Sequence, residues 1–147
     1  MFGSLLRQML APAPHRLPEP DADLALAALL VRLARADDSY GGVEAARIDR
    51  VLATRRGLSL TDATALRREA EAMEAEAPDT VRFTRALKEA VDYDHRTGVL
   101  EAMWEVALAD GARDAEEDAV IRLVANLLGV NDRDSALARQ RVEGRRG

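Results

Sequence analysis

The chain has 147 residues, of which 48% are hydrophobic, 32% are charged and 3% are aromatic, and its formal net charge is −5. This acidic balance argues against a general nucleic-acid binder, because non-specific affinity for a phosphate backbone needs a basic face. The lack of cysteine excludes disulfides, thiolate metal sites and cysteine nucleophiles within this chain. The length predicts a single domain with a sizeable core of aliphatic side chains.

Residues 1–20 are predicted to form an N-terminal arm and a proline-rich linker. Residues 3–10 have the pattern of a short amphipathic helix, and the prolines of APAPHRLPEP favour extended backbone after it. The arm could dock on the domain, on a partner protein or, as a peripheral contact, on a membrane surface. No segment approaches the ~20 apolar residues of a transmembrane helix, and the arm is too short for a signal peptide. We therefore expect a cytoplasmic protein.

The rest of the chain is predicted to be helical, because apolar residues recur at spacings of three and four. The predicted helices cover about residues 21–36, 43–56, 59–77, 79–91, 100–109, 114–129 and 131–142, with a basic tail at 143–147. The many charges of the helix at 59–77 are interpreted as a solvated face. No stretch alternates apolar and polar residues as a strand would. The predicted fold is therefore an all-α, single-domain bundle of about seven helices, spanning residues 21–142.

Residues 100–129 form the most informative predicted unit, a helical hairpin with an acidic turn. Its first helix places Trp104 on an apolar stripe and stops near Asp110, where a glycine follows. Asp114, with Glu117 three residues later, has the spacing of an N-cap and capping box for the second helix.

The acidic turn has a second copy earlier in the chain. Both copies fit the pattern A-x-A-D-x(6)-E-x(3)-I-x(2)-V, and matching residues are 73 positions apart, as with Asp37 and Asp110 or Glu44 and Glu117. Two hairpins related in this way are expected to pack around a pseudo-twofold axis, with the first helix of each hairpin at the centre.

These motifs resemble the tellurite-resistance TerB family, including the TerB-like domain of some J-domain co-chaperones. The resemblance rests on ALADGARDAEED with MWEV before it and IRLVANLLGV after it, and on the degenerate first copy ARADDSYGGVEAARI. It implies an α-helical domain, an acidic surface proposed to hold a divalent cation, and roles in stress response or as an adaptor, without established catalysis. The first copy departs from the pattern, since Asp38 replaces a glycine and Gly41 stands where the second copy has Asp114.

The candidate metal ligands are the acidic residues of the two turns. They are Asp37, Glu44, Asp110, Asp114 and Glu117. Asp37 and Asp110 each end a helix, where a negative charge is unfavourable by ~0.3–1 kcal/mol, so that something must offset them. Either they accept hydrogen bonds from the next helix, or they join Glu44 and Glu117 as oxygen ligands of Ca²⁺ or Mg²⁺. DGARDAEED does not match an EF-hand loop.

Two functions follow from these features. The first is a non-enzymatic TerB-like module that binds a divalent cation in a stress response. The second is a co-chaperone-like adaptor for a protein partner, with no metal, in which the acidic residues only cap helices. An enzyme is not expected, because the carboxylates are the only candidate acid and base groups and no nucleophile motif or phosphate-binding loop accompanies them.

Overall fold

The computed structural model describes residues 20–36, 38, 40–109 and 114–146, so that the predicted helix at residues 3–10 lies outside the described residues. The described part contains seven α-helices and no strand, which confirms the predicted all-α bundle. The helices are α1 (Ala22–Arg35), α2 (Gly42–Arg56), α3 (Leu60–Glu76), α4 (Val81–Ala90), α5 (Tyr93–Ala107), α6 (Ala115–Leu127) and α7 (Asp132–Arg146). None of them combines the length and apolarity that a membrane-spanning helix needs.

Helix α1 lies at the centre of the bundle and packs against α2, α3, α4, α5 and α6. Asp21 begins it, because its Oδ1 accepts the N–H of Leu24 at 2.8 Å and so satisfies one of the free donors of the first turn. Apart from Arg32, every residue from Leu24 to Ala34 is buried. Such a helix without an exposed face is stable only when neighbours cover it on all sides.

The internal repeat extends over three helices in each copy. Helices α1, α2 and α3 correspond to α5, α6 and α7, and α4 joins the two halves. A glycine with positive φ precedes the third helix in both copies, Gly57 at 65° and Gly129 at 72°. The third helix is capped in the same way in both copies. The side-chain oxygen of Ser59 or Asn131 accepts the backbone N–H three residues further on, at 3.0 Å and 2.8 Å respectively. The sequence pattern of the hairpins is thus one part of a longer duplication.

In both halves, ion pairs join the third helix to the central helix, but the buried carboxylate lies on the third helix in the first half and on the central helix in the second. Glu74 of α3 is buried and pairs with Arg32 of α1, at 3.0 Å, and with Arg35. In the second half the buried carboxylate belongs to the central helix, where Glu101 of α5 pairs with two arginines of α7. If α7 packed against α1 instead, the arginines of both helices would face each other. The placement of the charges therefore favours the observed pairs, α3 with α1 and α7 with α5.

Three details differ from the sequence-based expectations. Glu74 is not on a solvated face, because the two arginines of α1 need a carboxylate partner at the edge of the core. Residues 143–146, predicted as a basic tail, continue α7, whose last turns are held by ion pairs to Glu101. Ala90 and Leu137, predicted on inward faces, are exposed.

Candidate metal site at the acidic turns

The second acidic turn lies between α5 and α6, and Asp114 caps α6. Its Oδ1 accepts the N–H groups of Glu116 at 2.9 Å and Glu117 at 3.1 Å. A carboxylate is favoured here because the first N–H groups of a helix have no partner within the helix and carry a partial positive charge. The predicted capping role of Asp114 is therefore confirmed.

The helix that follows the first turn begins with different residues. Gly41 takes the N-cap position of α2, and its N–H donates to Glu44 Oε2 at 2.9 Å. Gly41 thus corresponds to Asp114 but brings no capping oxygen of its own. Asp38 has φ of 60°, in the left-handed region that glycine favours and that aspartate tolerates better than most residues. Its presence in place of a glycine is therefore compatible with the turn.

Tyr40 attaches the first turn to α3, which the sequence analysis did not anticipate. Its hydroxyl donates a hydrogen bond to the carboxylate of Glu71, and the guanidinium of Arg35 lies 5.2 Å from the centroid of its ring. Burial, reinforced by this hydrogen bond and the charge of Glu71, raises the pKa of Tyr40 to about 12. The phenol therefore stays protonated at neutral pH and remains a donor. A tyrosine beside an acidic turn is the only sequence signal of this contact.

The five candidate ligands are distributed over both turns. Glu44 lies on the first turn of α2, and Asp114 and Glu117 lie at the start of α6, all of them partly buried. Asp37 and Asp110 lie outside the described residues. Among the residues that are described, no three acidic or histidine side chains are close enough together to hold a metal ion. A complete ligand set would therefore include Asp37 or Asp110.

The carboxylates of Asp114 and Glu44 have the ligand chemistry that a hard cation needs. Both hydrogen bonds to Asp114 end on Oδ1, and the bond to Glu44 ends on Oε2, so that each carboxylate has a second oxygen outside the cap. Carboxylate oxygens are the ligands that Ca²⁺ and Mg²⁺ prefer. The backbone bonds also fix the orientation of each carboxylate, which lowers the entropy cost of binding an ion.

Two substitutions separate the contribution of the Asp114 cap to stability from that of its charge. We expect Asp114→Ala to lower the free energy of unfolding by about 1 kcal/mol, because two backbone donors of α6 lose their acceptor. Asp114→Asn should retain most of that stability, since asparagine caps helices nearly as well. Urea unfolding of both variants in the presence of a chelator measures this. Equal losses in the two variants would show that the charge, rather than the cap, stabilises α6.

The fold and the turns together define a class of protein: an α-helical module built from a duplicated three-helix unit, with an acidic turn after the first helix of each half. The family model described as "Tellurite resistance protein TerB" matches residues 23–140, which is most of the chain. The chain therefore belongs to the TerB family, as the motifs of its two turns predict. Searches among curated proteins and among solved structures each found no match.

Proposed function

We propose that this chain is a non-enzymatic, cytoplasmic TerB module that binds Ca²⁺ or Mg²⁺ at its acidic turns as part of a tellurite-resistance-like stress response. The observation that carries the proposal is that each half presents an oriented carboxylate, Glu44 or Asp114, at the start of the helix that follows a central helix, so that the turn between them joins this carboxylate to the negative end of the central helix. The free carbonyl groups at such an end favour a cation. Asp37 and Asp110 follow these ends directly, and a bound cation would offset their charge.

The non-enzymatic part of the proposal is supported by the available side chains. The chain has no cysteine and two histidines. His95 lies on the surface, where its Nδ1 is 2.6 Å from Asp92 Oδ1, and this partner raises the pKa of the imidazole. That pair belongs to the first turn of α5 and lines no site together with the acidic turns. At the acidic turns, a general acid or base would have to be one of the turn carboxylates.

A second candidate function is an adaptor for a protein partner, with no metal. The observation that favours it is that capping already accounts for Asp114, whose Oδ1 accepts two backbone hydrogen bonds, and for Glu44, which accepts one. On this proposal the turns only begin helices, and cations do not change stability.

Thermal unfolding with and without divalent cations distinguishes the two proposals. A cation at 100 times its dissociation constant should stabilise the fold by about 2.7 kcal/mol through mass action. We therefore expect the melting temperature of the wild type to be higher in Ca²⁺ or Mg²⁺ than in chelator. Asp110→Asn should weaken this response and, by removing a charge from a helix end, raise the stability of the metal-free protein.

Asp114→Asn is a second test variant, and Asp62→Asn is the matched control. The first keeps a capping oxygen and removes a candidate ligand charge, so it should weaken the cation response without loss of metal-free stability. Asp62 is exposed in the first turn of α3, away from both hairpin turns, and its replacement should leave the cation response unchanged. Identical melts of the wild type in chelator and in both cations would overturn the metal proposal and favour the adaptor.

A further inference from the structure

In the first half of the molecule, a buried carboxylate joins the second helix to the third. Asp49 of α2 is 8% exposed and accepts two hydrogen bonds from Arg67 of α3, at 2.7 Å from Nε and 3.3 Å from Nη2. The hydroxyl of Thr64 donates a third bond to it at 2.8 Å. This bidentate geometry is the strongest pairing that an arginine makes with a carboxylate.

The second half lacks this carboxylate. The caps and buried residues of the repeat align α6 with α2 and α7 with α3. The positions that match Asp49, Thr64 and Arg67 carry Arg122, Ala136 and Arg139. Arg139 keeps an ion pair to the residue four positions on, Glu143, at 2.9 Å, just as Arg67 keeps one to Glu71. The second half lacks the acceptor from the neighbouring helix, where a second arginine stands instead, and the hydroxyl that Thr64 provides in the first half.

A cleft of about 130 Å³ opens at this place between α5, α6 and α7. It has room because Ala125 stands where the first half has the buried Leu52. Trp104 lines the cleft, and the guanidinium carbon of Arg139 lies 6.0 Å from the centroid of its ring. The other lining residues are Asp118, Ile121, Arg122, Ala125, Asn126, Asp132, Ser135 and Ala136. Arg122 makes no hydrogen bond or ion pair to any residue in the described part of the chain.

We propose that this cleft is a binding site for a carboxylate, which takes the place that Asp49 fills in the first half. Arg139 and Arg122 provide the charged donors, and the hydroxyl of Ser135 provides a neutral one. Asp118 and Asp132 lie on the same lining, and their negative charges repel a dianion such as phosphate about twice as strongly as a monoanion. The ligand group is thus a monoanionic carboxylate, either of a small free acid or of an acidic side chain in a partner protein.

The fluorescence of Trp104 tests the proposal, because it is the single tryptophan of the chain and lines the cleft. The full chain is titrated with N-acetylglutamate α-amide, with the neutral N-acetylglutamine α-amide and with inorganic phosphate. We expect a saturable change with the carboxylate only, and at least about tenfold weaker binding after Arg139→Gln, since the variant removes a charged hydrogen-bond donor. No saturation by the carboxylate, or equal saturation by its amide, would overturn the proposal.

A glutamate-rich hexapeptide identifies the source of the carboxylate. Binding about tenfold tighter than that of the single residue would indicate an acidic segment of a partner protein, because contacts outside the cleft then add to the affinity. Equal binding per carboxylate would indicate a small free acid. Both results require the same dependence on Arg139.

Arg122→Asp is the most specific variant, because it restores the charge pattern of the first half. We expect it to abolish carboxylate binding and to raise the melting temperature by about 3 °C, since Arg139 then gains an acceptor within the chain. Arg50→Asp is the matched control, exposed at the middle of α2 as Arg122 is at the middle of α6. It should leave carboxylate binding unchanged and not raise the melting temperature. Unaltered carboxylate binding by Arg122→Asp would contradict the proposal.

Discussion

Trp104→Ala is expected to lower the free energy of unfolding by roughly 3–5 kcal/mol, the cost of replacing a large core side chain by alanine. Trp104 is 5% exposed and lies on α5, which packs against α1, α2, α4, α6 and α7. Truncation would enlarge the adjoining cleft and remove contacts that the surrounding helices cannot replace. Urea unfolding followed by far-ultraviolet circular dichroism measures the change without needing the tryptophan.

Leu123→Ala provides the control for this prediction. Leu123 is 47% exposed on α6, and its truncation should cost much less, since a large part of its surface stays in water after folding. A loss below about 1 kcal/mol for Trp104→Ala would mean that the central helix is not packed as described.

Glu101→Gln is expected to lower the free energy of unfolding by roughly 2–3 kcal/mol at pH 7, because it removes the charge that accepts hydrogen bonds from three arginines. Glu101 is 8% exposed and accepts hydrogen bonds from Arg55 at 3.5 Å, Arg141 at 3.2 Å and Arg145 at 2.9 Å. Arg55 also pairs with Glu105, so that the variant retains part of the network. Urea unfolding of the wild type and the variant at pH 7 gives the difference.

The effect of Glu101→Gln should depend on pH. Burial raises the pKa of this carboxyl, but the hydrogen bond from Arg145 and the charges of Arg145, Arg55 and Arg141 outweigh it, and the pKa in the folded protein is lowered. A lowered pKa means that the ion pairs stabilise the fold fully above the unfolded-state pKa, about 4.3, and lose this effect as the pH falls through the folded-state value. The difference between wild type and variant should therefore shrink in acid.

Glu69→Gln serves as its control, because Glu69 is exposed on α3. It should change the stability by less than about 0.5 kcal/mol at either pH. A Glu101→Gln effect that is equally small, or that grows in acid, would contradict the role of this carboxylate in joining α7 to α5.

Local signals in the sequence predict most helix bounds within a few residues, but α5 begins at Tyr93, well before its predicted start at Leu100. Gly57, in the left-handed conformation, follows the last residue of α2, and the capping serine, Ser59, precedes the first residue of α3. The apolar stripes also predict the buried positions of Trp104 and Ile121. These features depend on residues three or four positions apart, which is why the sequence alone contains them.

Ion pairs between distant segments could not be predicted in the same way. Glu74 is 42 residues from Arg32, and a helix with many charges gives no sign of which one is buried. One signal did exist, because Arg32 and Arg35 are the only charges in the otherwise buried part of α1 and need acidic partners.

The acidic turns were predicted only in part, for a similar reason. The cap by Asp114 follows from its local spacing, and the structure confirms it. An ion shared by carboxylates of both turns depends on tertiary positions 73 residues apart in the sequence, which no local spacing specifies. The cleft proposed to bind a carboxylate is recognised only when α3 is compared with α7, and these helices lie beyond the repeated sequence motif.

Calorimetric titration of the metal-free, full-length protein with Ca²⁺ and with Mg²⁺ tests the metal proposal most directly. We expect saturable heat from the wild type with at least one of these ions, and weaker binding by Asp110→Asn and Asp114→Asn, while Asp62→Asn behaves as the wild type. No heat of binding from the wild type with either ion, or equal binding by all of the variants, would contradict a cation site at the acidic turns.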